Sequence, residues 1–341
     1  MIDHSAVRRK DEHLALIFED GVRSTANSGL DDYRFEHNAL PEMDFAEVDT
    51  SVEFLGHKMH MPLMISPITG GGDKSEKINK GLAELANDFN IGFSVGSQSI
   101  AIVNKSLEKS FKIRNYAPNV LLFANLGAVQ LNYGYSVDEC RRAVDMIDAD
   151  ALILHINPLQ EVFQPEGNTD FSNLLKKIER ICSALEVAVG IKEVGYGISA
   201  SLAKKLCDVG VRIIDVAGTG SISWSAIESS RTNDVVLRHS SNAFLNWGNS
   251  TAECLSSIPE KLEAKIIASG AVRTGVDMAK ALALGADMCG NASDFLRRIV
   301  KSRVECENFV ESLTLELKTA MFCTGCKNIR ALKSAKLLKI A

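Results

Sequence analysis

The sequence predicts an α/β fold: a parallel (β/α)8 barrel of the TIM type, with N-terminal and C-terminal extensions. Three observations predict it. Apolar runs of strand length recur about eight times, amphipathic stretches of helical period separate them, and polar segments follow each run at the same end.

The first run is Leu63-Met64-Ile65, and the others occupy 91–95, 120–124, 151–155, 187–192, 212–216, 265–268 and 286–290. Each is short and continuously apolar, as a strand buried on both faces must be. Helical periodicity marks 78–89, 136–147, 171–184, 199–209 and 275–284. An open doubly wound sheet has the same alternation but usually stops at five or six strands. No low-complexity linker interrupts the series. The expected organisation is therefore an N-terminal extension over 1–60, polar and holding His4, His13, His37, His57 and His60, followed by a barrel with a C-terminal helical extension over 61–341.

Composition narrows the class. The 341 residues are 46% hydrophobic and 24% charged, enough apolar material for a large core. Thirty-eight Lys and Arg against 43 Asp and Glu leave a net charge of −5, which argues against a nucleic-acid binder. No apolar window reaches the roughly 18 residues of a membrane span, and the opening segment lacks the apolar core of a secretory signal. Eight scattered cysteines fit reduced thiols in the cytoplasm. The one C-x-x-C pair, Cys323 and Cys326, is expected to pack on a helix, since no second pair or nearby histidine completes a zinc set.

Barrel enzymes place their chemistry where strands end. Ser66 to Gly72 follow the first strand, Gly96-Ser97-Gln98-Ser99 the second and Asn125-Leu126-Gly127 the third. The fourth ends in His155 and runs into Asn157-Pro158-Leu159-Gln160-Glu161, and the fifth ends in Lys192-Glu193. Gly218 to Trp224 follow the sixth, Ser269 to Arg273 the seventh and Gly290-Asn291-Ala292 the eighth. Taken singly, each has a structural explanation: a glycine turn, a core histidine, a lysine paired with a carboxylate. Their coincidence at one end of every strand points to a site. The last two loops are the most specific, because glycines admit backbone N–H groups to an anion and this position is the usual barrel phosphate site. A lysine at the mouth suits the electron-rich edge of a flavin, so the residues together suggest an FMN barrel.

In these residues the chain resembles a known family, the type 2, FMN-dependent isopentenyl-diphosphate isomerases. The likeness runs through Arg9-Lys10-Asp11-Glu12-His13, Ile68-Thr69-Gly70-Gly71, Val95-Gly96-Ser97-Gln98, Asn125-Leu126-Gly127-Ala128, His155 to Glu161, Ile191 to Gly197, Ser269 to Gly275 and Thr324-Gly325-Cys326. The resemblance implies interconversion of isopentenyl and dimethylallyl diphosphate, without net redox change, by a reduced flavin. It implies FMN, Mg2+ and NADPH as flavin reductant, a small diphosphate substrate, and a homo-oligomer, tetramer or octamer. Pro67, Ile68, Thr69, Ser97, Asn125 and Lys192 would contact FMN. Gly270, Ala271, Arg273, Gly290, Asn291 and Ala292 would hold its phosphate end, with Ser221 and Ser223 as hydroxyl donors. Arg9, Lys10, His13, Ser97, Gln98, His155, Asn157 and Gln160 would line the substrate site, to which the N-terminal extension would contribute. Gln160 and His155 would act in catalysis, and Glu161 would bind the metal.

The chain departs from the family's pattern at Ser99, where arginine is common, at Ile222 in place of a hydroxyl, at Asn291 in place of an apolar residue, and at Ser293-Asp294 in place of Arg-Pro. Two other functions share the lysine and the phosphate loops. An FMN-dependent 2-hydroxy-acid oxidase would need an Arg/His pair, for which His239, expected in a loop, is the late candidate. A non-catalytic flavin or phosphate binder would need neither His155 nor Gln160.

Overall fold

A computed structural model describes residues 4–18, 26–259 and 261–340. Eight parallel strands close into a barrel: β1 Leu63–Ile65, β2 Gly92–Ser94, β3 Leu122–Gly127, β4 Ala151–His155, β5 Ala188–Lys192, β6 Ile213–Asp215, β7 Lys265–Ala268 and β8 Met288–Asn291. They neighbour one another in chain order and β8 pairs with β1, so the open sheet is excluded.

Alternation along each strand sorts its side chains into two cores. Leu63, Ile65, Phe93, Leu122, Leu152, Leu154, Ile191 and Ile266 face the surrounding helices. Met64, Phe123, Ile153, Ile213, Ile267 and Met288 fill the barrel, where Phe54 and Met59 join them from an antiparallel pair, Val52–Phe54 with His57–Met59. The interior is full: a Cβ on Gly190 would lie 2.6 Å from Ile153 Cδ1 and 2.9 Å from Ile213 Cβ. Within the barrel, ligand space is left above this packed layer.

Several expected bounds shift. The third strand extends to Gly127, so Asn125 lies within β3; Asn291 likewise belongs to β8. Polar side chains at a barrel's open end can stay in strand geometry because the ladder satisfies their backbone. His239 sits in the helix Val235–Asn242, which Asp234 caps, and not in a loop. Two three-residue strands, Tyr33–Phe35 and Leu337–Lys339, pair antiparallel and tie the N-terminal region to the C-terminal one. They are too short to show a period in sequence.

The N-terminal helix His4–Ile17 packs Leu14 and Ile17 against Ile227 and Leu296. Ion pairs hold it further, with Arg231 joining Glu12 at 3.1 Å. It thus lies over the barrel's C-terminal mouth. At the far end the 20-residue helix Arg303–Phe322 terminates at Cys323, and Cys326 is buried. No group of three or more His, Cys, Asp or Glu suited to a metal occurs among the described residues, and none of their helices is long and apolar enough to cross a membrane.

Candidate active site

A cavity of about 480 Å³ opens at the C-terminal ends of the strands, within the range for small-ligand sites. Every site residue expected from sequence lines it except Gln98 and Ser223. Gln98 is fully buried: its amide donates to the Ala143 carbonyl at 2.8 Å and its oxygen accepts from the Asn125 N–H at 2.9 Å. It braces β3 from behind and lies outside the substrate wall. Ser223 caps the helix Trp224–Arg231, accepting from the Ala226 N–H, and its hydroxyl is engaged with Ser225 at 3.0 Å.

Backbone shapes one end. Gly270 has φ +101°, and a Cβ there would lie 2.2 Å from the Gly218 carbonyl oxygen. Only glycine fits, so β7 turns tightly and its N–H groups stay accessible. Asn291 staples the two loops: its amide donates to the Val272 carbonyl at 2.9 Å and to Asp294 at 3.0 Å. Asp294 is paired with Arg298 at 3.0 Å, which offsets the charge it brings to this end. Arg273 lines the cavity and donates to the Gly220 carbonyl at 2.5 Å. Ser221, Ala292 and the first-strand segment Pro67-Ile68-Thr69 complete this wall.

The strand ends form the base of the cavity. Register aligns His155, Lys192 and Asp215 on β4, β5 and β6. Burial, and then the charges of Lys192 and Lys10, push His155 down to about 4, so the ring is neutral. Its Nδ1 lies 2.9 Å from Asn125 Oδ1, an acceptor, which puts the proton on Nδ1. Lys192 donates to the Glu193 carbonyl at 2.6 Å. Glu193 in turn collects the N–H groups of Val194, Gly195 and Tyr196 at 2.6, 2.7 and 2.5 Å, fixing the loop that carries the lysine's partner. Burial nonetheless pushes Glu193 up to about 7.

The N-terminal helix supplies the third wall. Arg9, Lys10 and His13 line the cavity from it. Lys10 donates to the Ser97 carbonyl at 2.7 Å, and burial, with Arg9 beside it, pushes its ammonium down to about 7. Ser99, where a cation was expected, faces the same space and bonds Ser97 at 3.1 Å.

A buried network joins these walls. Pro158 starts the short helix Pro158–Phe163, which sets Asn157, Gln160 and Glu161 on one side. Asn157 donates to Gln160 Oε1 at 3.1 Å and to Glu161 Oε1 at 2.9 Å. Gln160 donates onward to Glu228 at 3.0 Å. Glu228 also meets His13 at 3.0 Å and Arg231 at 2.5 Å. Burial works against its charge, yet His13, Gln160 and Arg231 outweigh burial and hold the carboxyl below its usual range. Sequence reasoning missed Glu228. Its only signal was a carboxylate four residues after Trp224 and three before Arg231, just past the segment Gly218 to Trp224 where the reading of that loop stopped. Glu161 Oε2 accepts from the Asn168 N–H at 2.6 Å and from the Gln164 amide at 3.4 Å.

A closed parallel barrel with a glycine cradle after β7 and β8 and a lysine at the end of β5 belongs to the class of TIM-barrel enzymes that take a phosphorylated ligand at the C-terminal ends of their strands. The pattern of the FMN-dependent dehydrogenases matches residues 17–119 and 155–339. The crystal structure of mandelate oxidase superposes with a TM-score of 0.62 at 16% identity, covering 98% of each chain, a likeness of fold. The chain is 48% identical over 328 residues to the isopentenyl-diphosphate delta-isomerase of Nostoc sp., covering 95% of this chain and 93% of that one. It is 42% identical over 335 residues to the enzyme of the same name from Oceanobacillus iheyensis, covering 98% and 96%. The chain belongs to the FMN-dependent dehydrogenase family and, within it, to the type 2 isopentenyl-diphosphate delta-isomerases of isoprenoid biosynthesis.

Proposed function

We propose that this cavity holds FMN and, above it, isopentenyl diphosphate with Mg2+, and that the chain interconverts isopentenyl and dimethylallyl diphosphate in the cytoplasm as a homo-oligomer, tetramer or octamer, its flavin reduced by NADPH. The observation that carries this is one cavity walled by a glycine cradle, a strand-end lysine and two cations of the N-terminal helix, Arg9 and Lys10. The residues present fit the cofactor. Ser66 Oγ and Asn157 Oδ1 are buried in the cavity wall without a partner among the described residues, as polar atoms awaiting a ligand are.

Bound in its reduced form, FMN supplies the acid–base chemistry of alkene isomerisation. The chain's residues do the rest. Gly270, Ala271, Arg273, Gly290, Asn291, Ala292 and Ser221 hold the cofactor's phosphate end. Pro67, Ile68, Thr69, Ser97, Asn125 and Lys192 hold its ring. Residues 1–60 act as an extension that completes the substrate site on the barrel 61–341. Arg9 and Lys10 bind the diphosphate, with His13 held in place by Glu228. Glu161 would offer Mg2+ a carboxylate, the hard oxygen donor that ion prefers. His155, neutral, hydrogen-bonds substrate without adding charge. Gln160, its amide oriented by Glu228 and Asn157, positions the alkene end. With serine at 99, Arg9 carries more of the anion binding.

The test is anaerobic incubation of FMN-loaded, dithionite-reduced protein with isopentenyl diphosphate and Mg2+. Dimethylallyl diphosphate is expected. Flavin-loaded protein that instead oxidises a 2-hydroxy acid, or that binds FMN and forms no product, rules this function out.

A further inference from the structure

Asp215 has no part in the mechanism above, and its placement asks for one. Its carboxyl is 1% exposed at the end of β6, just behind the cavity wall. A buried carboxylate is costly unless its oxygens are satisfied. Oδ1 accepts from the Ser269 hydroxyl at 2.6 Å and from the Ala217 N–H at 3.3 Å. Oδ2 lies 3.8 Å from Lys192 Nζ, directly across the strand pair that aligns the two residues. Lys192 has three N–H donors. The Glu193 carbonyl takes one and Asp215 draws on the ammonium from the β6 side, so a donor is left for the cavity that Lys192 lines. Ser269, the aspartate's other partner, directly precedes Gly270 of the phosphate cradle.

From this geometry we infer that Asp215 is a positioning residue: it anchors the Lys192 ammonium at the cavity wall and offsets its charge, so that the cofactor ring meets a balanced ion pair in place of a free cation. The inference rests on the FMN reading above. A free cation favours the electron-rich, two-electron-reduced ring over the oxidised one; a balanced pair holds the two forms more evenly. Asp215 thereby sets the flavin's potential from behind the wall. Through Ser269 it also links the ring end of the site to the phosphate end.

Full-length wild type, Asp215→Asn, Lys192→Met and the double variant are loaded with FMN and titrated anaerobically against redox dyes, without substrate. Asp215→Asn keeps the shape and removes the charge. It is expected to shift binding toward reduced FMN at least about tenfold, a potential about 30 mV more positive for two electrons. Lys192→Met is expected to move it the other way, with the double variant between them. An Asp215→Asn protein that keeps FMN with a ratio within about twofold of wild type overturns the inference. A second measurement covers the case in which Asp215→Asn cannot be isolated. Without FMN, the double variant should melt above Lys192→Met, which strands a buried carboxylate. A double variant that melts no higher overturns the pairing. Wild-type protein that takes up no FMN overturns the cofactor reading, and this inference with it.

Discussion

The same eight strands carry two unlike ends. Near their starts they enclose Phe54, Met64, Phe123, Ile153, Ile213, Ile267 and Met288, all apolar and almost wholly buried. Near their ends they present Asn125, His155, Lys192, Asp215, Ser269 and Asn291, several as deeply buried as the core. The floor is held by shape, and apolar side chains of the right volume serve it. The mouth is held by partners: Glu193, Asp215 and Glu228 are tolerated because donors meet their oxygens. Stability should therefore fail from the floor and chemistry from the mouth.

Breaking that division should be easiest at the floor. Phe123→Ala removes a fully buried ring and should destabilise by about 3–5 kcal/mol, while the folded fraction keeps its FMN affinity. Denaturant unfolding alongside flavin titration checks this. Equal losses in both would mean that the two ends are not separable. At the mouth, Glu161→Gln deletes a charge a hard cation prefers and should raise the Mg2+ needed for half-maximal activity roughly 10- to 100-fold, with FMN still bound. An activity curve against Mg2+ that overlays wild type would remove Glu161 from the metal site.

Arg9→Ala should raise the KM for isopentenyl diphosphate at least about tenfold, since one charge-assisted contact is worth about 1.5–3 kcal/mol. Ser99→Arg in the same protein should restore part of it. Loss of FMN in place of substrate affinity would assign Arg9 to the other ligand. The smallest effect is on pH. Burial pushes Lys10 down to about 7, so in the free site it is protonated below that pH and loses its charge above it. A bound dianion favours the charged form, so affinity for the diphosphate should fall, and KM rise, as pH climbs through about 7. His155, neutral from about 4 upward, should add no inflection there. A KM that rises identically in Lys10→Met would free Lys10 of this role.

Much of this was legible in the chain. Leu63–Ile65, Ala151–His155 and Lys265–Ala268 were delimited to the residue, because continuous apolar runs between turn residues leave few alternatives. Lys192 and Gly270 were legible because a strand end and a tight turn restrict which residues fit. Less legible were residues whose partners are distant in sequence. Gln98 was expected at the substrate from the family resemblance, but its amide is spent on Ala143 and Asn125. Glu228 went unnoticed because its partners His13 and Gln160 are 215 and 68 residues away.

By itself, the sequence determined the barrel, the end at which polar groups gather and the glycines of the cradle. These follow from hydrophobic period and backbone sterics, which act between near neighbours and so are written locally. Only the tertiary structure decided which carboxylates face which cations, that His155 stays neutral, and that the N-terminal helix closes the mouth. Those outcomes depend on burial and on distances of a few ångströms between residues far apart in the chain. Electrostatic energy in a low-dielectric interior depends steeply on both, and neither can be read along a line of letters.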